Sequence, residues 1–257
     1  MGLLGSRIRS VFLRRKDLRT PLKPELRTKL VGQSVGRVER RAKYLLFETE
    51  DFLILNHLGM TGAWRKLARD EEFGKHDHVV LEFESGLKLV FTDPRRFGIF
   101  ELLPKASRSK SRWLKNLGIE PFDDDFSGGF LFTRSRRRKV PIKNFIMDQR
   151  QVVGVGNIYA SEALFRARVR PGLPAGRLTA AEADTLVRSV RELLSEAINA
   201  GGSTIRDYRN SEGESGEFQD RFQVYGREGE PCAVCGTKIR SVFLGGRNTF
   251  WCPKCQR

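Results

Sequence analysis

Cys232-Ala233-Val234-Cys235 and, after an insert running from Gly236 to Trp251, Cys252-Pro253-Lys254-Cys255 form two C-x-x-C half-sites at the end of the chain. These 4 cysteines are all that the sequence has. Each C-x-x-C turn can aim two thiolates at one point, and the insert is long enough for a β-hairpin that brings the halves together. The spacing therefore predicts one structural Zn2+ in a tetrahedral S4 site of zinc-ribbon type, closed to substrate. Two disulfides are the alternative, but nothing else in the sequence points to an oxidising compartment, and a basic intracellular composition favours the metal. The insert turns at Gly245-Gly246-Arg247-Asn248-Thr249, a glycine turn presenting one arginine. A ribbon that only stapled the fold would not need that arginine.

The rest of the chain supplies a reason for it. With 47 Lys and Arg against 31 Asp and Glu, the 257 residues carry a net charge of +16, which implies a polyanionic partner, nucleic acid by default. No apolar run of about 18 residues argues for a membrane, and Leu3-Leu4 between Gly2 and Gly5 is too short for a signal peptide, so a cytoplasmic location is expected. The basic run Arg134 to Lys139 proves little alone, because a solvated surface looks the same.

In chain order, Arg7 to Leu13, Ser34 to Glu48 and Phe52 to Leu58 read as strands, and His78 to Phe91 reads as a hairpin turning at Glu84-Ser85-Gly86. Composition shifts between about 106 and 125, as a linker would. Beyond it the pattern is helical over Lys143 to Asp148, Asn157 to Val169, and a long helix from Thr179 to Gly201-Gly202. That helix opens with a capping box, Thr179 and Glu182, and carries a core stripe of Leu186, Val190, Leu193 and Ala197, widened by Val187 and Leu194. The polar stretch 203–225 reads as a binding loop. The fold class is α+β and multi-domain: a β-rich domain over 1–108, a linker over 109–125, a helical domain over 126–222 and a hairpin domain over 223–257.

Four short segments could carry chemistry. Gly154-Val155-Gly156-Asn157 opens a helix and offers N–H groups to a phosphate, with Asn157 able to cap or to donate. Asp93-Pro94-Arg95-Arg96-Phe97-Gly98 puts two guanidiniums and a ring at the end of a strand, as a wedge entering a base stack would. Lys43 reads as part of a strand among apolar residues, where desolvation could lower its pKa, although a lysine snorkelling to solvent is the commoner case. In Lys75-His76-Asp77-His78, the two histidines are read on opposite faces of a strand, one contacting phosphate and the other packed.

Together these segments resemble the formamidopyrimidine-DNA glycosylase and endonuclease VIII family. The resemblance runs through RRAKYLLFE (40–48), HLGMTG (57–62), KHDH (75–78), TDPRRFG (92–98), IKNFIMDQRQVVGVGNIYASEALF (142–165), VYGREGEPC (224–232) and GGRNTFWCPKC (245–255). DPRRFG is similar to the branch acting on oxidised purines. The resemblance implies an N-terminal β-sandwich, a helix-two-turn-helix domain with a lesion-capping loop, and a zinc β-hairpin, with DNA in the cleft between. It implies base-excision repair: removal of formamidopyrimidines and 8-oxoguanine from double-stranded DNA, with abasic-site lyase activity, by a bacterial, nucleoid-associated monomer. Lys43 becomes the proton donor in β-elimination and Arg247 that in δ-elimination. His76, Arg95 and Lys139 become DNA contacts, Asn157 with Arg247 grips phosphates beside the lesion, and Met60, Arg95 and Phe97 fill the gap left by the flipped base.

Members of that family begin Pro-Glu-Leu-Pro-Glu after the initiator Met, with the proline amine as Schiff-base nucleophile. Here Met1-Gly2-Leu3-Leu4-Gly5 lines up with a segment a short way into the family pattern, and Pro24-Glu25-Leu26 is a chance match inside another segment. The expectation is therefore either a start upstream of Met1 or a protein without that amine, which would bind damaged or abasic DNA without cutting it. No internal lysine replaces the amine easily, because an ordinary lysine pKa is about 10.4 against about 7.7 to 8.0 for an α-amine.

Overall fold

The computed structural model describes residues 2–68, 71–203 and 216–257. One compact unit ends at Lys115; a second is built from Asn116–Gly202 and Glu217–Arg257.

In the first unit, alternating sequence folds into two antiparallel sheets. The first has the order β1-β6-β7-β5, from Ile8–Leu13, Asp77–Phe83, Lys88–Thr92 and Ala63–Leu67; the second has the order β2-β3-β4-β8, from Arg37–Arg41, Tyr44–Glu48, Phe52–His57 and Ile99–Pro104. Ile8, Val11, Val79, Leu81, Phe83 and Phe91 of one sheet meet Phe47, Ile54 and Phe100 of the other in a shared core, which makes the unit a β-sandwich. The outer face of the second sheet is also covered: Leu46, Leu53, Leu55 and Ile99 pack under Trp113 and Leu114. This is why Leu53-Ile54-Leu55 is a continuous apolar run and not an alternation.

The stretch Ser34 to Glu48 is not one strand. It breaks at Ala42 (φ 54°) and Lys43 into β2 and β3, which pair from Arg37↔Glu48 to Arg41↔Tyr44. The hairpin between β6 and β7 turns where Glu84-Ser85-Gly86 predicts, with Gly86 at φ 83°.

The second unit holds α2 (Gly128–Ser135), α3 (Ile142–Met147), α4 (Asn157–Arg166) and α5 (Ala180–Asn199); the short helix α1 (Leu26–Lys29) belongs to the first. At α5 the Thr179 hydroxyl accepts from Glu182 N while the Glu182 carboxylate accepts from Thr179 N, the expected capping box. The helix ends in a Schellman motif, Gly202 N to Ala197 O and Gly201 N to Ile198 O, with both glycines at positive φ. Burying Leu186, Val190 and Leu193 stabilises by about 1.5–3 kcal/mol each, against about 1 kcal/mol for the cap, so packing and not capping holds α5 in place. The α4 helix stops at Arg166, earlier than the Val169 expected. The stretch expected to be a linker is packed at both ends: Trp113 and Leu114 onto the first unit, and Ile119, bridged to Val152, onto the core of the second. Of the expected binding loop over 203–225, residues 204–215 lie outside the described residues; the described end carries a 3-10 turn at Phe218–Arg221.

The hairpin is β9 (Arg240–Leu244) and β10 (Arg247–Trp251) around Gly245-Gly246. Both glycines have positive φ, 56° and 76°, as a type I′ turn requires. Gly245 is also pressed so close to Asn144 of α3 that a Cβ would collide with that side chain.

Candidate nucleic-acid interface

In the first unit, two loops are locked together around one carboxylate. Asp93 is wholly buried; its Oδ1 accepts from the Thr61 hydroxyl at 2.7 Å, its Oδ2 from Gly98 N at 2.7 Å, and its carbonyl from His78 Nε2 at 2.8 Å. Thr61 Oγ1 in turn accepts from Arg95 N at 3.2 Å. Gly59 (φ 70°) lies so close to the other loop that a Cβ there would sit 2.7 Å from the Phe97 carbonyl carbon. From this frame Met60 (65% exposed) and Phe97 (45%) project into solvent, with the Arg95 guanidinium 4.8 Å above the Phe97 ring. The structure thus brings Met60, Arg95 and Phe97 together as one exposed cluster on a tightly hydrogen-bonded base.

Lys43 does not sit inside a strand. It is exposed in the turn before β3, so it is not desolvated by apolar neighbours. Close by is His57, opposite Tyr44 in the β3–β4 ladder, with the two rings 5.1 Å apart. Burial, and then the charges of Lys43 and Arg19, lower the His57 pKa to about 4, so the ring is neutral at pH 7 and its Nδ1 accepts from Gly59 N at 2.9 Å. That bond shapes the start of the loop carrying Met60, and the Tyr44–His57 ring contact and pairing set the end of the Lys43 turn beside it. His76 and His78 are not on opposite faces either: their rings are neighbours, 6.4 Å apart, as the i, i+2 spacing of a strand dictates. His78 is buried and His76 half-exposed, so the expected division into one packed and one accessible histidine holds by depth.

In the second unit, Asn157 opens α4 but does not cap it. Its Oδ1 accepts from Lys143 Nζ at 2.5 Å and its Nδ2 donates to Asn248 O at 3.0 Å, so its side chain is committed to α3 and the hairpin and not to the end of its own helix. Lys143 Nζ also donates to the Thr249 hydroxyl at 2.6 Å. A fully buried cation therefore bridges α3, α4 and β10, and places Asn157 beside the hairpin whose turn presents the exposed Arg247. Burial, and then the Arg247 charge, lower the Lys143 pKa to about 8. Lys139 is exposed on the turn between α2 and α3.

The Sγ atoms of Cys232, Cys235, Cys252 and Cys255 all lie within 4.8 Å of one another, at 3.9 Å for Cys232 to Cys255 and 3.5 Å for Cys235 to Cys252. A tetrahedron with Zn–S bonds of about 2.3 Å has S···S edges of about 3.8 Å, whereas a disulfide needs about 2.05 Å, so the geometry fits the metal and not the disulfides. Cys232 and Cys252 pack on Phe165, Val224 and Ile239, which joins the hairpin to the end of α4.

Comparison with known proteins bears on the whole chain. Family models for the formamidopyrimidine-DNA glycosylase N-terminal domain, for the H2TH domain of the same enzymes, and for a zinc finger found in FPG and IleRS match residues 2–100, 117–209 and 229–257. The chain belongs to the formamidopyrimidine-DNA glycosylase family. A formamidopyrimidine-DNA glycosylase of Bdellovibrio bacteriovorus is 48% identical over 250 residues, 97% of this chain and 92% of that protein. One from Thioalkalivibrio sulfidiphilus is 47% identical over 253 residues, 98% and 93%. Lactococcus lactis Fpg in complex with DNA containing an abasic site superposes with a TM-score of 0.90 at 34% identity, covering 99% of this chain and 94% of that one. The same enzyme with Fapy-dG containing DNA gives 0.89 at 33%, with the same coverage. No helix among the described residues is long and apolar enough to cross a membrane.

Within this formamidopyrimidine-DNA glycosylase fold, sequence reasoning missed the residues that hold the exposed ones. Asp93, Lys143 and Glu162 lie within the motifs TDPRRFG and IKNFIMDQRQVVGVGNIYASEALF, whose pattern assigns them no role of their own. Glu162 is buried on α4, and its carboxylate accepts from the backbone N–H groups of Gln223, Val224 and Tyr225 at 2.8 to 3.0 Å, so it anchors the segment leading into the zinc finger. A carboxylate in the middle of an otherwise apolar helix face was the available signal.

Proposed function

We propose that this protein is a bifunctional base-excision-repair enzyme that removes oxidised purines, formamidopyrimidines and 8-oxoguanine, from double-stranded DNA and nicks the strand by β,δ-elimination. The observation carrying this reading is the joint exposure of Met60, Arg95 and Phe97 on two interlocked loops. A thioether, a guanidinium and a ring on a frame that cannot recoil suit insertion where a base has left the stack. Asn157, at the N-terminal end of α4 with the neighbouring Arg247, suits the phosphates beside the lesion, and His76, Arg95 and Lys139 add contacts. Lys43 gives the proton in β-elimination and Arg247 that in δ-elimination. One structural zinc, on Cys232, Cys235, Cys252 and Cys255, holds the hairpin and takes no part in bond breaking. The protein acts as a monomer in the bacterial cytoplasm, at the nucleoid.

The amine that attacks C1′ and displaces the base is assigned to no residue of this sequence. The test therefore compares the polypeptide starting at Met1 with any longer in-frame form, on a duplex carrying one formamidopyrimidine guanine. Base release and β,δ-cleavage confined to the damaged duplex are expected from the enzyme, with borohydride trapping identifying the nucleophile. Tight binding to abasic DNA with no base release from either form would overturn this reading.

A further inference from the structure

A cavity of about 420 Å3 opens in the first unit between the end of β1 and the loop before β6, lined by Arg14, Arg15, Lys16, Asp17, Lys75 and Asp77. Both carboxylates are committed elsewhere. Asp77 accepts from Arg65 Nη2 at 2.7 Å, Thr92 Oγ1 at 2.5 Å and Gly74 N at 2.8 Å, and Asp17 pairs with Arg96 at 3.5 Å. Arg14 is fixed in place, its Nη1 donating to Gly74 O at 2.6 Å and Asp77 O at 3.3 Å, with its guanidinium 5.2 Å over the Phe73 ring. The side chains of Arg15, Lys16 and Lys75 are exposed and have no hydrogen-bond or ion-pair partner among the described residues.

Three unpaired cations around one concavity, above an anchored guanidinium, repel one another unless an anion enters. We infer that this cavity is a phosphate site of the first unit, and that its occupant is a backbone phosphate of the DNA duplex the wedge enters. The inference rests on the proposed DNA-binding function. Two links favour DNA over a free phosphate compound: Lys75 directly precedes His76, and Asp17 pairs with Arg96, one residue from Arg95 and Phe97, so a phosphate held here is held in register with the wedge. The cavity is open, and none of its lining residues offers an apolar face for a base or sugar to stack on.

The test measures binding of a duplex carrying a tetrahydrofuran abasic-site analogue between about 50 and 300 mM KCl, for the wild type, for Arg15→Ala with Lys75→Ala, and for Arg112→Ala as a surface-charge control. The double variant should reduce the slope of log K against log[KCl] by about 1 to 2, and weaken low-salt binding about tenfold or more, while Arg112→Ala leaves the slope unchanged. All three positions are exposed, and an unchanged Tm verifies folding. An unchanged slope in the double variant, with wild-type binding still salt dependent, would overturn the site and leave the proposed function standing; a wild type that does not bind the duplex would overturn the function itself. Calorimetric titration with inorganic phosphate separates the two sources. No heat below millimolar concentration is expected, whereas phosphate heat abolished in the double variant, together with an unchanged DNA slope, would overturn the DNA assignment in favour of a free phosphate compound.

Discussion

The loops carrying Met60, Arg95 and Phe97 in the first unit and the hairpin junction of the second both end in exposed side chains that we propose contact DNA, but they are held by different means. The wedge rests on backbone: Asp93 accepts neutral donors, and Gly59 presses on Phe97 with no room for a Cβ. The junction rests on a buried charge, Lys143, and on four thiolates around a metal site. A frame made of sterics and of uncharged donors on one carboxylate offers nothing to a chelator or to alkaline pH. One made of a buried ammonium and a thiolate cluster responds to both.

The largest effect should come from the metal. Chelation, or Cys252→Ser, is expected to lower DNA affinity by about a hundredfold or more while most of the helical circular dichroism survives, because the hairpin has little core beyond the cysteines whereas each unit has its own. Metal analysis should find one zinc per chain. Full DNA affinity after chelation would mean that the junction, like the wedge, holds itself. Next is Gly59→Ala, which forces an L-residue to φ 70° and a Cβ to within 2.7 Å of Phe97; a stability loss of about 2–3 kcal/mol, read as a fall in Tm, is expected. An unchanged Tm would show that the two loops are not interlocked.

Phe97→Ala tests the wedge at its tip. Preference for abasic over intact duplex should fall about tenfold, or about 1.4 kcal/mol, with intact-duplex affinity unchanged; equal loss on both duplexes would make Phe97 a general contact and not a wedge. Lys143→Met is the counterpart in the junction. Replacing the buried ammonium by an apolar chain of similar length should cost about 1–3 kcal/mol, because the Asn157 amide oxygen and the buried Thr249 hydroxyl lose their donor, and should weaken binding to every duplex, because the Asn157 amide is no longer oriented. Stability loss well beyond that, with affinity intact, would reassign Lys143 to folding alone.

A further effect is on pH dependence. The folded-state pKa of Lys143, about 8, is below its ordinary 10.5, so between those values the unfolded chain binds the extra proton and stability rises with pH. His57, lowered to about 4 from 6.5, acts in the acid range: stability falls as pH drops through that window. Denaturant midpoints across pH should show the alkaline rise in the wild type and its absence in Lys143→Met.

Local chemistry was sufficient for the zinc ribbon, the Gly245-Gly246 turn, the Thr179 capping box and the hairpin turning at Glu84-Ser85-Gly86, since each depends on residues close in sequence or on a simple period. The turn at Ala42-Lys43 was not legible, because Arg40 to Phe47 reads as unbroken strand and no glycine or asparagine marks the reversal; pairing of β2 on β3 imposes it. Nor does the sequence around Lys143 say that it is buried, or that Asn157 spends its amide on the hairpin and not on a cap. Those facts depend on groups separated by 106 residues for Lys143 with Thr249, and by 91 for Asn157 with Asn248. The exposed residues proposed to contact DNA carry their chemistry in their identity and could be named from motifs. The buried ones that aim them could not, because what a buried polar group does is decided by its partners, and only the folded chain brings those together.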